Sequence, residues 1–371
     1  MFGRTLATLV VMLAFAGCSA SQGGRVETTQ TEEVPGIYAD FGFLNGKIGP
    51  MNLTESVLAN LSKSEGDLVL WPGPDPKAPT WKALIGEINS AVKDLEARPD
   101  LFRLVRSASD LADIGSTDLV YVIMTVQNPA LIGDKWGWLD DLRKAGVRVI
   151  QLSYWGEQSN IYGSGFMSKE DRGLTPLGRR YLQELASRGF ILDLAHLGPR
   201  TAMEAAELYT GSIMISHTGA RSVYDCSRNA NDDVMERVVK NGGIIGIYAM
   251  SFFLDAKDNS IKPWLSHIKH VINLVGPEHV TFGSDAPVAG FDDLTTAEKS
   301  FAKLTQRLDS AGKLAGMPCP PRWPAFTTAF NGTDRFRVAE RALNVQFGQL
   351  IARGIMGINT LNFYRNSLPR K

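Results

Sequence analysis

The chain of 371 residues carries 39 basic and 39 acidic side chains and so no formal net charge at neutral pH. That balance gives no electrostatic reason to expect nucleic acid or an anionic membrane surface as a partner. The apolar share is ordinary for a water-soluble fold, the length suits one large α/β domain or two smaller ones, and three cysteines are too few for a disulfide framework.

The N-terminus reads as a processing signal. MFGRTLATLVVMLAFAGC sets Arg4 before an apolar run from Leu6 to Ala16, which is too short to span a bilayer, and ends on Gly17-Cys18. Phe15-Ala16-Gly17-Cys18 resembles the bacterial lipobox, with Phe15 where leucine is usual. Cleavage before Cys18 and its acylation by several chains are expected, and several chains anchor stably where one would not. An ordinary cleaved signal with an incidental cysteine is the competing expectation. Lipidated, the chain belongs to the bacterial cell envelope, and Ser19 in place of Asp favours the periplasmic face of the outer membrane in a Gram-negative host. Residues 19–35, rich in Ser, Gln, Gly, Thr and Glu, are expected to form a flexible tether. Cys226 and Cys319 then remain; in an oxidising envelope they could pair, but separate thiols are the first expectation.

From residue 36 onward apolar runs of strand length alternate with helical stretches. The runs are Ile37–Leu44, Asp67–Trp71, Leu119–Val126, Val147–Leu152, Phe190–Ala195, Ser212–Ser216, Gly243–Tyr248 and His279–Gly283. Helices are expected at Thr80–Ala97, Trp136–Ala145, Thr175–Ser187, Pro199–Tyr209, Asp232–Asn241 and Ile261–Val275, with a helical tail from Asp334 to Arg365 closing the bottom or side. This alternation predicts an α/β fold, a TIM-type (β/α)₈ barrel in one domain over 36–371. A doubly wound sheet alternates too, but its Gly-rich turn is missing after Leu44.

Only five histidines occur, and two of them end consecutive strand runs. His196 follows the fifth run and His217 ends the sixth, while TFGSDAP presents Asp285 after the eighth. In a parallel barrel all three reach one rim, where two imidazoles and a carboxylate suit a divalent metal such as zinc. Asp285 can also carry a proton to a leaving amine. Arg221 and Arg228, in TGARSVYDCSRN, are available to hold a carboxylate. Each residue also has a bland reading: a capped strand-end histidine, a turn-forming aspartate, an arginine clamping a loop. His267 and His270 share a helix face and are expected to be packed or solvated there. His279 falls at the opposite barrel face.

From Val147 to Pro287 the chain resembles the membrane dipeptidase, or renal dipeptidase, family of amidohydrolase-like barrels. The matching segments are GVRVIQLSYWGEQSN, DRGLTPLGRRYLQELASRGFILDLAHLG, SHTGARSVYDCSRNANDDVMERVVKNGGIIGI and HIKHVINLVGPEHVTFGSDAP. A looser match, IMGINTLNFYRN, has Asn362 in place of the family's arginine. The resemblance implies a zinc-dependent hydrolase of dipeptides that tolerates D-residues at the C-terminal position, and it suggests a homodimer. It implies that His196 and His217 bind one zinc. Asp285 would be a ligand to the other zinc and the proton carrier, and Arg228 the clamp on the substrate carboxylate.

Three positions depart from the family pattern. Phe41 and Phe43 stand where its first strand carries a His-x-Asp metal pair, and Gln127 stands where it carries a metal-bridging glutamate. Residues i and i+2 of a strand face the same way, so both rings are expected where a metal would sit. Tyr154 stands where some members carry a histidine that steadies the transition state. A reduced site with one zinc per chain is expected. Two readings follow: a one-metal dipeptidase-like hydrolase, or a degenerate lipoprotein that binds peptides or cell-wall fragments with little turnover.

Overall fold

Each apolar run marked by the sequence meets a strand, the sixth of which runs two residues further to Thr218, and two further short strands complete the sheet. The computed structural model describes residues 36–43, 55–73, 78–154, 159–288, 290–291, 293–310, 312, 314 and 319–371. Residues 1–35, where a signal segment ending at Cys18 and a tether are expected, lie outside these residues. The strands are β1 Ala39–Phe43, β2 Leu68–Trp71, β3 Phe102–Leu104, β4 Val120–Val126, β5 Val147–Ile150, β6 Ile191–Asp193, β7 Ile213–Thr218, β8 Ile245–Ile247, β9 Val280–Phe282 and β10 Ala286–Pro287. All their pairings are parallel, in the order β10-β1-β2-β4-β5-β6-β7-β8-β9, with β3 beside β4. The two ends of that order, β9 and β10, are neighbours in the chain. The Asp285 N–H between them donates to Phe41 O at 2.9 Å. The sheet therefore curls back onto its first strand, as a barrel does and a doubly wound sheet does not.

The helices are α1 Glu55–Ser64, α2 Trp81–Glu96, α3 Gly137–Ala145, α4 Pro176–Ser187, α5 Pro199–Leu208, α6 Asp232–Lys240, α7 Ser251–Leu254, α8 Ile261–Val275, α9 Leu294–Ser310, α10 Arg335–Phe347, α11 Gln349–Arg353 and α12 Asn359–Ser367. Local chemistry sets their ends. Thr175 caps α4 by accepting the Gly178 N–H at 2.9 Å, with Pro176 in the first turn. Gly146 ends α3 at φ 110°, in the left-handed region where a side chain would be strained. No helix among the described residues is long and apolar enough to cross a membrane.

Gly36–Lys371 forms one compact unit with two layers of core. Alternate strand residues, among them Ala39, Phe41, Leu68, Leu70, Tyr121, Ile123, Val149, Ile191 and Met214, pack in the lumen. Leu361, Phe363, Tyr364 and Leu368, at and just beyond α12, join this lumen cluster, so the C-terminal helix plugs the barrel bottom. The opposite strand residues pack outward against the helices. The barrel is tight beside β7: a Cβ on Gly246 or Gly283 would lie 2.0 or 2.1 Å from Ser216 O, leaving room only for glycine. The cysteines correct the expectation of separate thiols. Cys226 and Cys319 are joined in a disulfide, 93 residues apart in sequence with Cα atoms 5.5 Å apart. That proximity arises only from the folded path of the chain.

Candidate metal and substrate site

The rim where β6 and β7 end brings His196 and His217 together. Their Nε2 atoms lie 3.0 Å apart, and both side chains are buried. Each ring is held by its own strand end. His196 adopts φ 70°, and its carbonyl accepts the Phe166 N–H at 2.9 Å. His217 continues β7, with Nδ1 against Ser216 Oγ at 2.7 Å. Asp285 also adopts a left-handed φ, 55°, in the turn between β9 and β10. Non-glycine residues in that region cost free energy, about 1–3 kcal/mol each, and concentrate at functional sites. Asp285 Oδ2 lies 3.9 Å from His217 Nε2.

Burial dominates the electrostatics. It holds both imidazoles far below the usual histidine range, with help from the Arg228 guanidinium, so the rings are neutral and each carries one nitrogen lone pair. Burial pushes Asp285 up to about 7, against Arg228 and aided by the Asp40 and Asp193 carboxylates. Arg228 is buried too; its Nη1 donates to His217 O at 3.3 Å, and its guanidinium lies 5.6 Å from the Phe166 ring and 5.5 Å from the Tyr248 ring. Its Nη2 has no hydrogen-bond partner among the described residues. A buried cationic donor with one open NH2 group is equipped to receive an anionic oxygen. Arg221 is elsewhere, paired on the surface with Asp225 at 2.8 Å.

The flanks are aromatic. The Tyr154 ring lies 4.7 Å from the His196 ring. Phe41 stacks on His217, with centroids 4.0 Å apart and planes within 10°. The side chain of Phe43 lies outside the described residues. Gln127 is buried just after β4, and its Oε1 has no hydrogen-bond partner among the described residues. The other histidines serve the frame. His267 accepts the Ala220 N–H at 2.8 Å and lies 3.0 Å from Leu254 O, His270 meets Asp232, and His279 lies 2.9 Å from Gly243 O.

The donor chemistry fits one cation. Two neutral imidazole Nε2 atoms converge at 3.0 Å, close to the spacing of two nitrogens that share a zinc ion, and Asp285 stands beside them. No group of three His, Cys, Asp or Glu side chains is arranged as a finished metal site among the described residues. Sequence reasoning missed Asp193, Ser216, Phe166 and Tyr248. For Asp193 and Ser216 the signal was present: polar side chains inside buried strand runs must satisfy each other.

The family model for membrane dipeptidases, peptidase family M19, matches residues 69–318. The chain belongs to the membrane dipeptidase family. The matched stretch holds Gln127, Tyr154, His196, His217, Arg228 and Asp285, but β1 with Phe41 and Phe43 precedes it. Among relatives, Dipeptidase verJ of Clonostachys rogersoniana is 24% identical over 291 residues, covering 76% of this chain and 74% of that one. An uncharacterized dipeptidase of Schizosaccharomyces pombe is 29% identical over 180 residues, covering 46% of this chain and 44% of its own. Among solved structures, an amidohydrolase from Pseudomonas aeruginosa superposes with a TM-score of 0.68 at 20% identity, covering 90% of this chain and 97% of its own. Dipeptidase AC, a metallopeptidase, does so at 0.68 and 16% identity, covering 91% of this chain and 99% of its own. These likenesses establish the barrel fold that membrane dipeptidases share.

Proposed function

We propose that this membrane dipeptidase family member hydrolyses dipeptides or closely related amides with one zinc ion per chain, held by His196 and His217 with Asp285 beside them. The convergence of the two buried Nε2 atoms at 3.0 Å carries this reading. A bound zinc ion supplies Lewis acidity for amide hydrolysis. Arg228 takes the terminal carboxylate of the substrate on its open NH2 group. Asp285, pushed up to about 7, holds a proton near neutral pH and passes it to the leaving nitrogen. Tyr154 walls the substrate side of His196. Phe41, flat on His217, supports one metal over two, since an apolar ring offers no ligand on that face. Attachment to the bacterial envelope through Cys18 belongs to the same proposal.

The test is a zinc titration of metal-free protein, with assays on dipeptides ending in L- or D-residues and on their C-terminal amides. One zinc per chain, zinc-dependent cleavage and poor cleavage of the amides are expected. Two zincs per chain, or indifference to amidation, would overturn the assignment. The Phe41 stack also favours a second reading, a binding protein with little turnover, which tight dipeptide binding without cleavage by the zinc-loaded protein would select.

A further inference from the structure

Behind His217 runs a buried chain of polar groups. Asp193 Oδ1 accepts the Ser216 N–H at 2.9 Å and the Ala195 N–H at 3.1 Å. Its Oδ2 accepts Gln151 Nε2–H at 2.8 Å and Ser216 Oγ–H at 2.6 Å. Ser216 Oγ in turn lies 2.7 Å from His217 Nδ1, and His217 Nε2 lies 3.0 Å from His196 Nε2. Asp193, Gln151, Ser216 and His217 are all buried, so water does not compete for these bonds.

We propose that Asp193, acting through the hydroxyl of Ser216, is a positioning residue that holds His217 with its proton on Nδ1 and the Nε2 lone pair turned to the site. The argument counts hydrogens. Two backbone N–H groups and an amide N–H point at the Asp193 carboxylate, and none of them can accept a proton in return, so the carboxylate is an acceptor at all three. Ser216 has one hydroxyl hydrogen, and the carboxylate takes it. Toward His217 the same oxygen has only lone pairs to offer, so Nδ1 must be the donor. In the neutral ring Nε2 is then bare. Without a metal the 3.0 Å contact requires His196 to donate from Nε2, which leaves its Nδ1 an acceptor, and that atom has no hydrogen-bond partner among the described residues. The two histidines are therefore unequal. His217 is already in the form that offers Nε2 to a cation, whereas His196 must move its proton to Nδ1. This inference rests on the zinc site proposed above only for its consequence in metal affinity; the tautomers themselves belong to the metal-free protein.

The experiment is two-bond proton–nitrogen correlation spectroscopy on metal-free, full-chain protein with 15N-labelled histidine rings. His217 should show a protonated Nδ1 and a bare Nε2, and His196 the reverse. Asp193→Asn replaces the acceptor at Oδ2 by an amide donor, and the bonds should run backwards: amide to Ser216 Oγ, then Ser216 hydroxyl to Nδ1. His217 should switch to the Nε2–H form, and affinity for zinc ion should fall about 10–100-fold. Ser216→Ala should abolish the tautomer preference and Ser216→Thr should keep it, so these variants decide the matter if Asp193→Asn does not fold. A protonated Nε2 on His217 in the wild type, or an unchanged tautomer in folded Ser216→Ala, would overturn the relay. If the tautomers stand as stated while zinc fails to bind the wild type, the hydrolase assignment falls and the relay survives.

Discussion

Phe41 answers to two demands at once. Its ring closes the top of the lumen core and lies flat on His217. Restoring ligands by Phe41→His, Phe43→Asp and Gln127→Glu together should raise zinc content from one to two per chain by elemental analysis. Phe41→His alone should add no second zinc and should lower stability, because it sets a polar ring among apolar neighbours. Asp40, the next residue, faces the other way, with Ser284 N–H at 2.6 Å on Oδ1 and Ser284 Oγ at 2.7 Å on Oδ2. Burial pushes its carboxyl up to about 6, against the Arg335 charge and the bonds from Ser284. A carboxyl raised in the folded state stabilises fully below its unfolded value near 3.8, and that contribution is lost as pH rises through about 6. For Asp40 the loss should be on the order of 2–3 kcal/mol. Asp40→Asn should flatten the fall of the thermal midpoint over this window, leaving the slope that Asp67, Asp193 and Asp285, whose carboxyls burial also raises, contribute in the same direction. A midpoint curve identical to that of the wild type would refute the assignment.

At the scale of elements, the segment after β7 carries Arg228 and is tied down at several points. The Ala230 N–H donates to Gly219 O at 3.0 Å, Asn229 Nδ2 donates to Phe253 O at 2.9 Å, and Tyr248 OH donates to Asn229 Oδ1. His267 on α8 receives the Ala220 N–H, and the Cys226–Cys319 bridge pins the segment to a distant part of the chain. A guanidinium buried with one NH2 group open needs such a frame, because a mobile one would turn to any nearby carbonyl. Replacing both cysteines by serine should cost about 2–5 kcal/mol in urea unfolding, for a closed loop of this size. It should also raise KM for dipeptides more than it lowers kcat, since the clamp loosens while the histidines stay on their strands. An unchanged KM would mean that the hydrogen bonds alone position Arg228.

For the whole molecule, the barrel gathers at one rim the ends of strands that lie far apart in sequence, and α12 seals the other end. Tyr364, buried in that seal with its OH 3.6 Å from Met214 Sδ, is the tested joint. Tyr364→Ala should destabilise the barrel by about 3–5 kcal/mol through the cavity it leaves, read as a lower urea midpoint with dipeptide KM unchanged. The proposed anchor at Cys18 would set where the molecule resides. Cys18→Ala should abolish lipid labelling and move the protein from the membrane fraction; labelling that persists would reject the anchor.

Much of this was legible in the residues themselves, because strand and helix periods are local. The apolar runs placed the strands, the two histidines at consecutive strand ends placed the rim, and the alternation along β1 turned Phe41 inward. The order of family-like segments named the barrel before any contact was known. What the tertiary structure alone decided depends on groups that meet across long stretches of chain. It joined Cys226 to Cys319, closed the sheet through β10 and set Ser216 between Asp193 and His217. No local period encodes such pairings. They follow from which strand ends the closed barrel brings within bonding distance, and from the high cost of leaving a buried polar group without a partner.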